Sequence, residues 1–251
     1  MVDWRSTVTD YLAARAHETL NSPCVSLSAD LRFQCEAVSW PAFTQAWRDS
    51  YVKFTRSQDP GSTFISVDKH HHDSLVQLLK ESNISELWRD DEVKEISRIW
   101  HYLDGWPDSS KGIKQLNQEG FQTCTLSNGN VELLEDMAKH ADLQWKHIFS
   151  GEQFKAYKPS PQVYHGAAEK LGLPTNECAM VAAHLGDLRA AKSCGYQTIY
   201  IERVLEESWP LEATRASKRE GWVDMWVSLD ERFDGGGIAE ISRKIERGRP
   251  L

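Results

Sequence analysis

Beyond Lys111 the chain reads as short apolar runs separated at regular intervals by helical patterns. That alternation limits the fold more than any other feature. The runs are Phe121–Leu126, His147–Ser150, Cys178–Ala183, Gln197–Ile201 and Val223–Val227. Between and after them, Val131–His140, Pro161–Leu171, Gly186–Ser193 and Leu211–Glu220 carry apolar residues at helical spacing. Strands spaced by helices imply a parallel sheet covered on both faces, hence an α/β architecture. Gly235-Gly236-Gly237 reads as a flexible joint before a last amphipathic helix marked by Ile238, Ile241 and Ile245.

The first hundred residues carry a different pattern. Thr9–Ala16, Ala42–Phe54, His72–Glu81 and Asp91–Tyr102 repeat apolar positions at helical spacing, punctuated by Pro23, Pro41 and Pro60-Gly61. The expected plan is a helical subdomain in front of an α/β subdomain, with a ligand site between them. Of the ten tryptophans, Trp40, Trp47, Trp88, Trp100 and Trp106 all fall in the first 106 residues. They serve a core or line an apolar cavity.

A formal net charge of −8 without a basic stripe argues against a nucleic-acid partner. No stretch approaches the roughly 18 apolar residues of a membrane span. The first ten residues lack the apolar centre of a signal peptide. Cys24, Cys35, Cys124, Cys178 and Cys194 are odd in number and show no CxxC spacing, so a zinc ribbon or disulfide framework fits poorly. These features suit a reducing cytosol. His70-His71-His72 cannot converge on a metal from one helix, because successive helical residues diverge by about 100°. A solvated helix start is expected there.

Gly120 to Asn130, GFQTCTLSNGN, is a strand, a polar turn and a helix start. In an open α/β sheet ligands bind at the carboxyl ends of strands. Asn128 or Asn130 can cap the helix, whose N-terminus offers free N–H groups to an anion. Two further segments end near strands in the same way. In Tyr157-Lys158-Pro159-Ser160-Pro161, Lys158 can neutralise a carboxylate or hold an anion. In Val181-Ala182-Ala183-His184-Leu185-Gly186-Asp187, Asp187 can accept a proton, anchor Lys158 or simply cap a helix. On a front helix, Arg48 beside Trp47 can clamp an anion. Singly, each has a plainer structural explanation. A hydroxyl, a lysine and a carboxylate in that order, each beside a strand end, form a more specific set.

The chain resembles the haloacid dehalogenase superfamily, and within it the L-2-haloacid dehalogenase branch as found in fungi. The resemblance runs from Val2-Asp3-Trp4 to Ser228-Leu229-Asp230, through WRDSY at 47–51, LDGWPDS at 103–109, TLSNGN at 125–130, AYKPSPQVY at 156–164 and VAAHLGDLRAA at 181–191. It implies a Rossmann-like parallel core, residues 101–251 with 1–7, and an inserted helical cap over residues 8–100. It also implies roles. Ser127 and Asn128 orient the nucleophile and bind the substrate carboxylate, and Lys158 neutralises charge beside the nucleophile. Asp187 positions the hydrolytic water, Arg48 receives the leaving halide, and Tyr164 stands near the substrate. Neither metal nor cofactor is expected, and the expected partner is a small-molecule substrate; a homodimer is compatible with this plan.

The resemblance has departures. The family's nucleophilic aspartate ends a first strand, in a DxxGT-type motif that precedes the equivalent of Val2-Asp3-Trp4. That motif is absent from this sequence, and Asp3 comes too late to replace it. Such a strand would be central in the sheet, and without it two apolar edges lie open. Ala182 and His184 stand where bacterial relatives carry Ser and Asn, and Gly186 leaves room beside Asp187. The leading expectation is therefore a non-hydrolytic enzyme. It would hold an apolar substrate among Trp40, Trp47 and His184 and polarise a carbonyl with Lys158 or Arg48. An isomerisation or a Diels–Alder-type cyclisation in fungal secondary metabolism fits that description. The alternatives are a 2-haloacid dehalogenase whose first strand is missing from this sequence, and a non-catalytic binding protein.

Overall fold

The computed structural model describes residues 2–57, 63–228 and 237–246. The elements run β1 (Val2–Asp3), α1 (Trp4–Asn21), α2 (Ala29–Glu36), α3 (Trp40–Arg56), α4 (Val67–Glu81) and α5 (Asp90–Ile96). A 3-10 turn (Ser97–His101), β2 (Asp104–Gly105), α6 (Ser109–Gln118), β3 (Cys124–Ser127) and α7 (Val131–His140) follow. Then come β4 (His147–Ser150), α8 (Gly151–Phe154), α9 (Pro161–Leu171), β5 (Ala179–Ala182) and α10 (Leu185–Ser193). The last are β6 (Gln197–Ile201), α11 (Leu211–Glu220), β7 (Met225–Val227) and α12 (Ile238–Glu246). Two compact units divide the chain, one of residues 1–105 with 128–142 and the other of 106–127 with 143–251.

The first unit is helical. On α1, Trp4, Val8, Leu12 and Ala16 are buried at every fourth position, a stripe that lies along one face. On α4, Val67, His71, Leu75 and Leu79 repeat that spacing. Asp3 caps α1 by accepting from the Arg5 and Ser6 amides, and Ser66 caps α4 at the Lys69 amide. The 3-10 turn packs against α1, α4, α5 and α7, and so sits at the middle of this unit. Its Trp100 ring stacks on Trp4 at 6.2 Å and on His71 at 4.7 Å, while Trp47 meets it edge-on at 5.3 Å.

His71 corrects the expectation for the histidine run. It is 3% exposed and belongs to the core stripe, so only its neighbours keep contact with solvent. Burial, and then the positive charge of His70, push its pKa well below the usual histidine value, so the ring is neutral.

The second unit carries the parallel strands. β3 pairs with β4 in register Ser127 to Ser150, and β5, β6 and β7 form a second ladder with β6 in the middle. Where alternation implied one sheet, the described strands of this unit thus form two parallel ladders, while β1 and β2 pair antiparallel in the helical unit. β6 is buried along Thr198–Ile201, as a central parallel strand between covered faces must be. Helix α9 opens with Pro161 and stops at Gly172 in the left-handed region, the residue type that tolerates φ of 68°. Ala167 and Ala168 are its small buried residues, and α9 lies against β3 and α10.

Most elements expected from the sequence are present, with α1 extending to both sides of Thr9–Ala16. The first strand begins later than expected, at Cys124, because the Phe121 amide is used by Leu116 to close α6. Pro60-Gly61 and Gly235-Gly236 lie outside the described residues. All five cysteines are free.

Candidate active site

In the second unit the chain's local rules bring three side chains to one point. Asp187 sits in the first turn of α10, just past the carboxyl end of β5. Lys158 precedes α9, and Tyr164 lies in its first turns, fully buried. The Lys158 ammonium donates to Asp187 Oδ2 at 2.6 Å. The Tyr164 hydroxyl donates to Asp187 Oδ1 at 2.7 Å. Burial, and then the Asp187 charge, push the Tyr164 phenol far up, so it stays protonated and acts as a donor. The Tyr164 backbone carbonyl accepts from Tyr196, which holds α9 against β6's neighbourhood. Lys158 and Asp187 keep 18% and 17% of their side chains exposed, enough to be reached by a small solute.

Around them Leu126, Ala182 and Trp209 pack against the Tyr164–Leu185–Leu188 cluster, a mostly apolar lining. His184, at the cap position of α10, is 3.6 Å from Glu206. Glu207 accepts from the Leu185 and Trp209 amides and thereby ties the loop after β6 to the turn after β5. A Cβ at Gly186 would meet only Trp209, at 3.8 Å, so the turn has spare room beside Asp187. Ser127 ends β3, and the peptide bond after it leads to Asn128 in the helical unit.

Among the residues singled out in the helical unit, Arg48 keeps a distinctive environment. Its guanidinium lies over the Tyr51 ring at 4.6 Å and the Trp4 ring at 5.6 Å. No ion pair neutralises it among the described residues. Trp47 is fully buried, and its indole N–H donates to His71 O and Ser74 Oγ. It is a packing residue of this core, which explains its presence without a ligand. Trp40 is half-buried against Phe43 and Trp88.

Asn128 and Asn130 are both buried. Asn130 occupies the cap position of α7, yet its side chain makes no cap bond. It pairs with Asp68 instead, donating to Oδ2 at 2.8 Å and accepting from the Asp68 amide at 3.3 Å. Asp68 in turn holds His101 Nε2 at 3.0 Å, and Asp136 holds His101 Nδ1 at 2.7 Å. Sequence reasoning missed this group, because Asp68, His101 and Asp136 are 33 and 35 residues apart and no local motif joins them.

Asp3 is engaged as the α1 cap, with Ser6 Oγ also donating to it. Among the described residues no group of three His, Cys, Asp or Glu side chains could hold a metal ion, and no helix is long and apolar enough to cross a membrane.

The family model for haloacid dehalogenase-like hydrolases matches residues 3–195. An (S)-2-haloacid dehalogenase of Burkholderia cepacia is 30% identical over 196 residues, covering 70% of this chain and 84% of its own. A solved defluorinating L-2-haloacid dehalogenase is 34% identical with a TM-score of 0.71, over 82% of this chain and 78% of that one. The L-2-haloacid dehalogenase of Xanthobacter autotrophicus, solved with chloropropionic acid covalently bound, superposes with a TM-score of 0.71 over 99% of this chain and 94% of that one. At 16% identity that last similarity bears on the fold alone.

Proposed function

We propose that this chain, which belongs to the haloacid dehalogenase-like hydrolase family, acts on a small 2-halogenated carboxylic acid and replaces the halogen with a hydroxyl from water. The balance is R–CHX–COO⁻ plus water giving R–CHOH–COO⁻, a proton and halide. The observation that carries the reading is the pair of donors on Asp187, Lys158 at 2.6 Å and Tyr164 at 2.7 Å. It occurs in a chain whose relatives at 30% and 34% identity are named dehalogenases. Those relatives support hydrolysis over the isomerisation or cyclisation expected from the sequence.

The residues divide the work. Ser127 and Asn128, around the turn after β3, receive the substrate carboxylate. Arg48, with aromatic faces on its guanidinium and no carboxylate partner among the described residues, suits a departing halide. Lys158 offsets negative charge as the carbon–halogen bond breaks. Asp187, with an oxygen engaged by each donor, is suited to orient water rather than to attack carbon itself. Asp3 is held as a helix cap. The group that displaces the halide is then either water or a carboxylate other than these two.

Halide release from the two enantiomers of 2-chloropropionate, followed by ion chromatography, tests the reading. Release from the (S) enantiomer, lost in Lys158→Ala, is expected. A single turnover in ¹⁸O-water separates the routes. Direct attack by water labels the product at once, whereas an ester intermediate labels the protein first. A folded protein that frees no halide from any 2-haloacid would refute the proposal.

A further inference from the structure

The helical unit contains a chain of side chains that no part of the reaction above uses. His101 is fully buried, with Asp68 Oδ1 3.0 Å from Nε2 and Asp136 Oδ2 2.7 Å from Nδ1. A carboxylate on each ring nitrogen requires both to carry hydrogen, so the ring is an imidazolium. Arg98 bridges Asp136 at 3.1 Å and Glu132 at 2.9 Å. On its other side Asp68 grips the Asn130 amide at both ends. The sequence Ser127-Asn128-Gly129-Asn130 therefore ends in a residue that is held through Asp68 by His101.

We infer that His101 is a positioning residue, whose imidazolium between Asp68 and Asp136 fixes Asn130 and through it the Asn128–Asn130 turn. The inference rests on the reading of that turn as the element that receives the substrate carboxylate. Three elements supply the holding contacts: α4 through Asp68, the 3-10 turn through His101, and α7 through Asp136. α7 begins immediately after Asn130, so the clamp grips the turn through Asp68 on one side and the following helix on the other.

The charges that face His101 set how it responds to pH. From α4 they are Asp68 and the neutral His71, from α7 Asp136 with Glu132 reached through Arg98, and from its own turn Arg98. α1 reaches the turn with Trp4, and α5 with buried Val93 and Ile96. Burial pulls the His101 pKa down, but the hydrogen bonds to Asp68 and Asp136 outweigh it and hold the pKa above the ordinary value. The clamp thus persists past the pH at which an ordinary histidine gives up its proton, and opens as pH rises further.

The experiment follows the backbone amides of Asn128, Gly129 and Asn130 by ¹H–¹⁵N NMR in the full chain. Wild type is compared with His101→Gln, and with Asp136→Asn in case the first fails to fold. Each is titrated with pH and with (S)-2-chloropropionate as probe. In wild type the three amides are expected to shift together with a midpoint above 6.5, the ordinary histidine value. His101→Gln is expected to lose that transition and Asp136→Asn to move its midpoint to lower pH, and both variants to bind the probe about tenfold more weakly. Folded variants whose turn amides stay at their wild-type positions, with unchanged probe affinity, would overturn the inference. Variants that move the turn, in a protein whose wild type binds no 2-haloacid, would overturn the proposed function and leave the clamp standing.

Discussion

Tyr164 donates its phenolic hydrogen to Asp187 Oδ1 at 2.7 Å, while Lys158 takes the other carboxylate oxygen. The carboxylate is thus oriented from two sides by donors of different kinds, one charged and partly exposed, the other neutral and buried.

Removing either donor is predicted to have separable effects. Tyr164→Phe deletes one hydrogen bond to a charged acceptor, at a cost of about 1.5–3 kcal/mol in stability, read by urea denaturation. Lys158→Ala is expected to slow halide release at least tenfold, about 1.4 kcal/mol in the barrier. Asp187→Asn keeps an oxygen for Tyr164 and should slow it less. Equal rates for wild type and a folded Lys158→Ala would remove Lys158 from the chemistry.

The stability of the helical unit is predicted to depend on pH with two limbs. The His101 pKa lies above the ordinary value, so its contribution is fully present below about 6.5 and lost as pH rises through the folded value. Burial pushes Asp68 up, but hydrogen bonds from His101 and Asn130 outweigh it and hold the carboxyl below its usual value. That contribution is present above the ordinary carboxyl range and lost as pH falls through the lowered pKa. Thermal midpoints measured across pH should therefore fall at both ends. Asp136→Asn should flatten the alkaline limb, because Nδ1 then faces a neutral group.

His71 works in the opposite sense. It is buried and neutral, and its lowered pKa means that the unfolded chain binds its proton first as pH drops below about 6.5. Stability is lost in that window. His71→Phe keeps a flat ring against Trp100, and the Trp47 indole still has the backbone oxygen of residue 71 as acceptor. The variant should show a shallower fall in thermal midpoint between pH 6.5 and 5. An unchanged slope would mean that His71 is not the group responsible.

Gly112 marks a close approach in the α/β unit. A Cβ there would lie 2.5 Å from Ile238 Cβ and 2.6 Å from its Cγ2, where α6 packs on α12. Gly112→Ala gains helix propensity but overpacks this crossing, with a net loss of about 1–3 kcal/mol. Combining it with Ile238→Gly, which removes both the Cβ and the Cγ2 that the new methyl would meet, should recover part of that loss. Denaturation of the single and double variants checks the pairing.

The parts of this structure that were legible in the sequence are those set by local pattern. The spans of α7, β4, α9, β6 and α11 follow from period and punctuation, because Pro161 and Gly172 fix the ends of α9 wherever it packs. Lys158, Tyr164 and Asp187 were legible because the motifs around them resemble a family with a known arrangement. The pairing of Asn130 with Asp68 was not, since a cap position ordinarily predicts a bond to the helix's own amides. His71 was misplaced for a related reason. A histidine beside two others looks polar, and only its four-residue spacing from Val67 and Leu75 shows that it shares their buried stripe. Trp47 was ambiguous between core and cavity, and the partners of its N–H decide for the core.

The helical unit is discontinuous. The chain leaves it after Gly105, runs through α6 and β3, returns for residues 128–142, and leaves again. During synthesis the first 105 residues therefore emerge before the helix that completes their packing, and domains generally fold as units in order of emergence. Until α7 arrives, His101 has Asp68 on one nitrogen and lacks Asp136 on the other. A nascent or proteolysed chain that stops at Gly105 lacks both Asp136 and the helix that covers the 3-10 turn, and such a fragment should not hold its fold alone. The second unit's first strand must leave the ribosome before the first unit can close, so maturation of the two halves is interleaved rather than sequential.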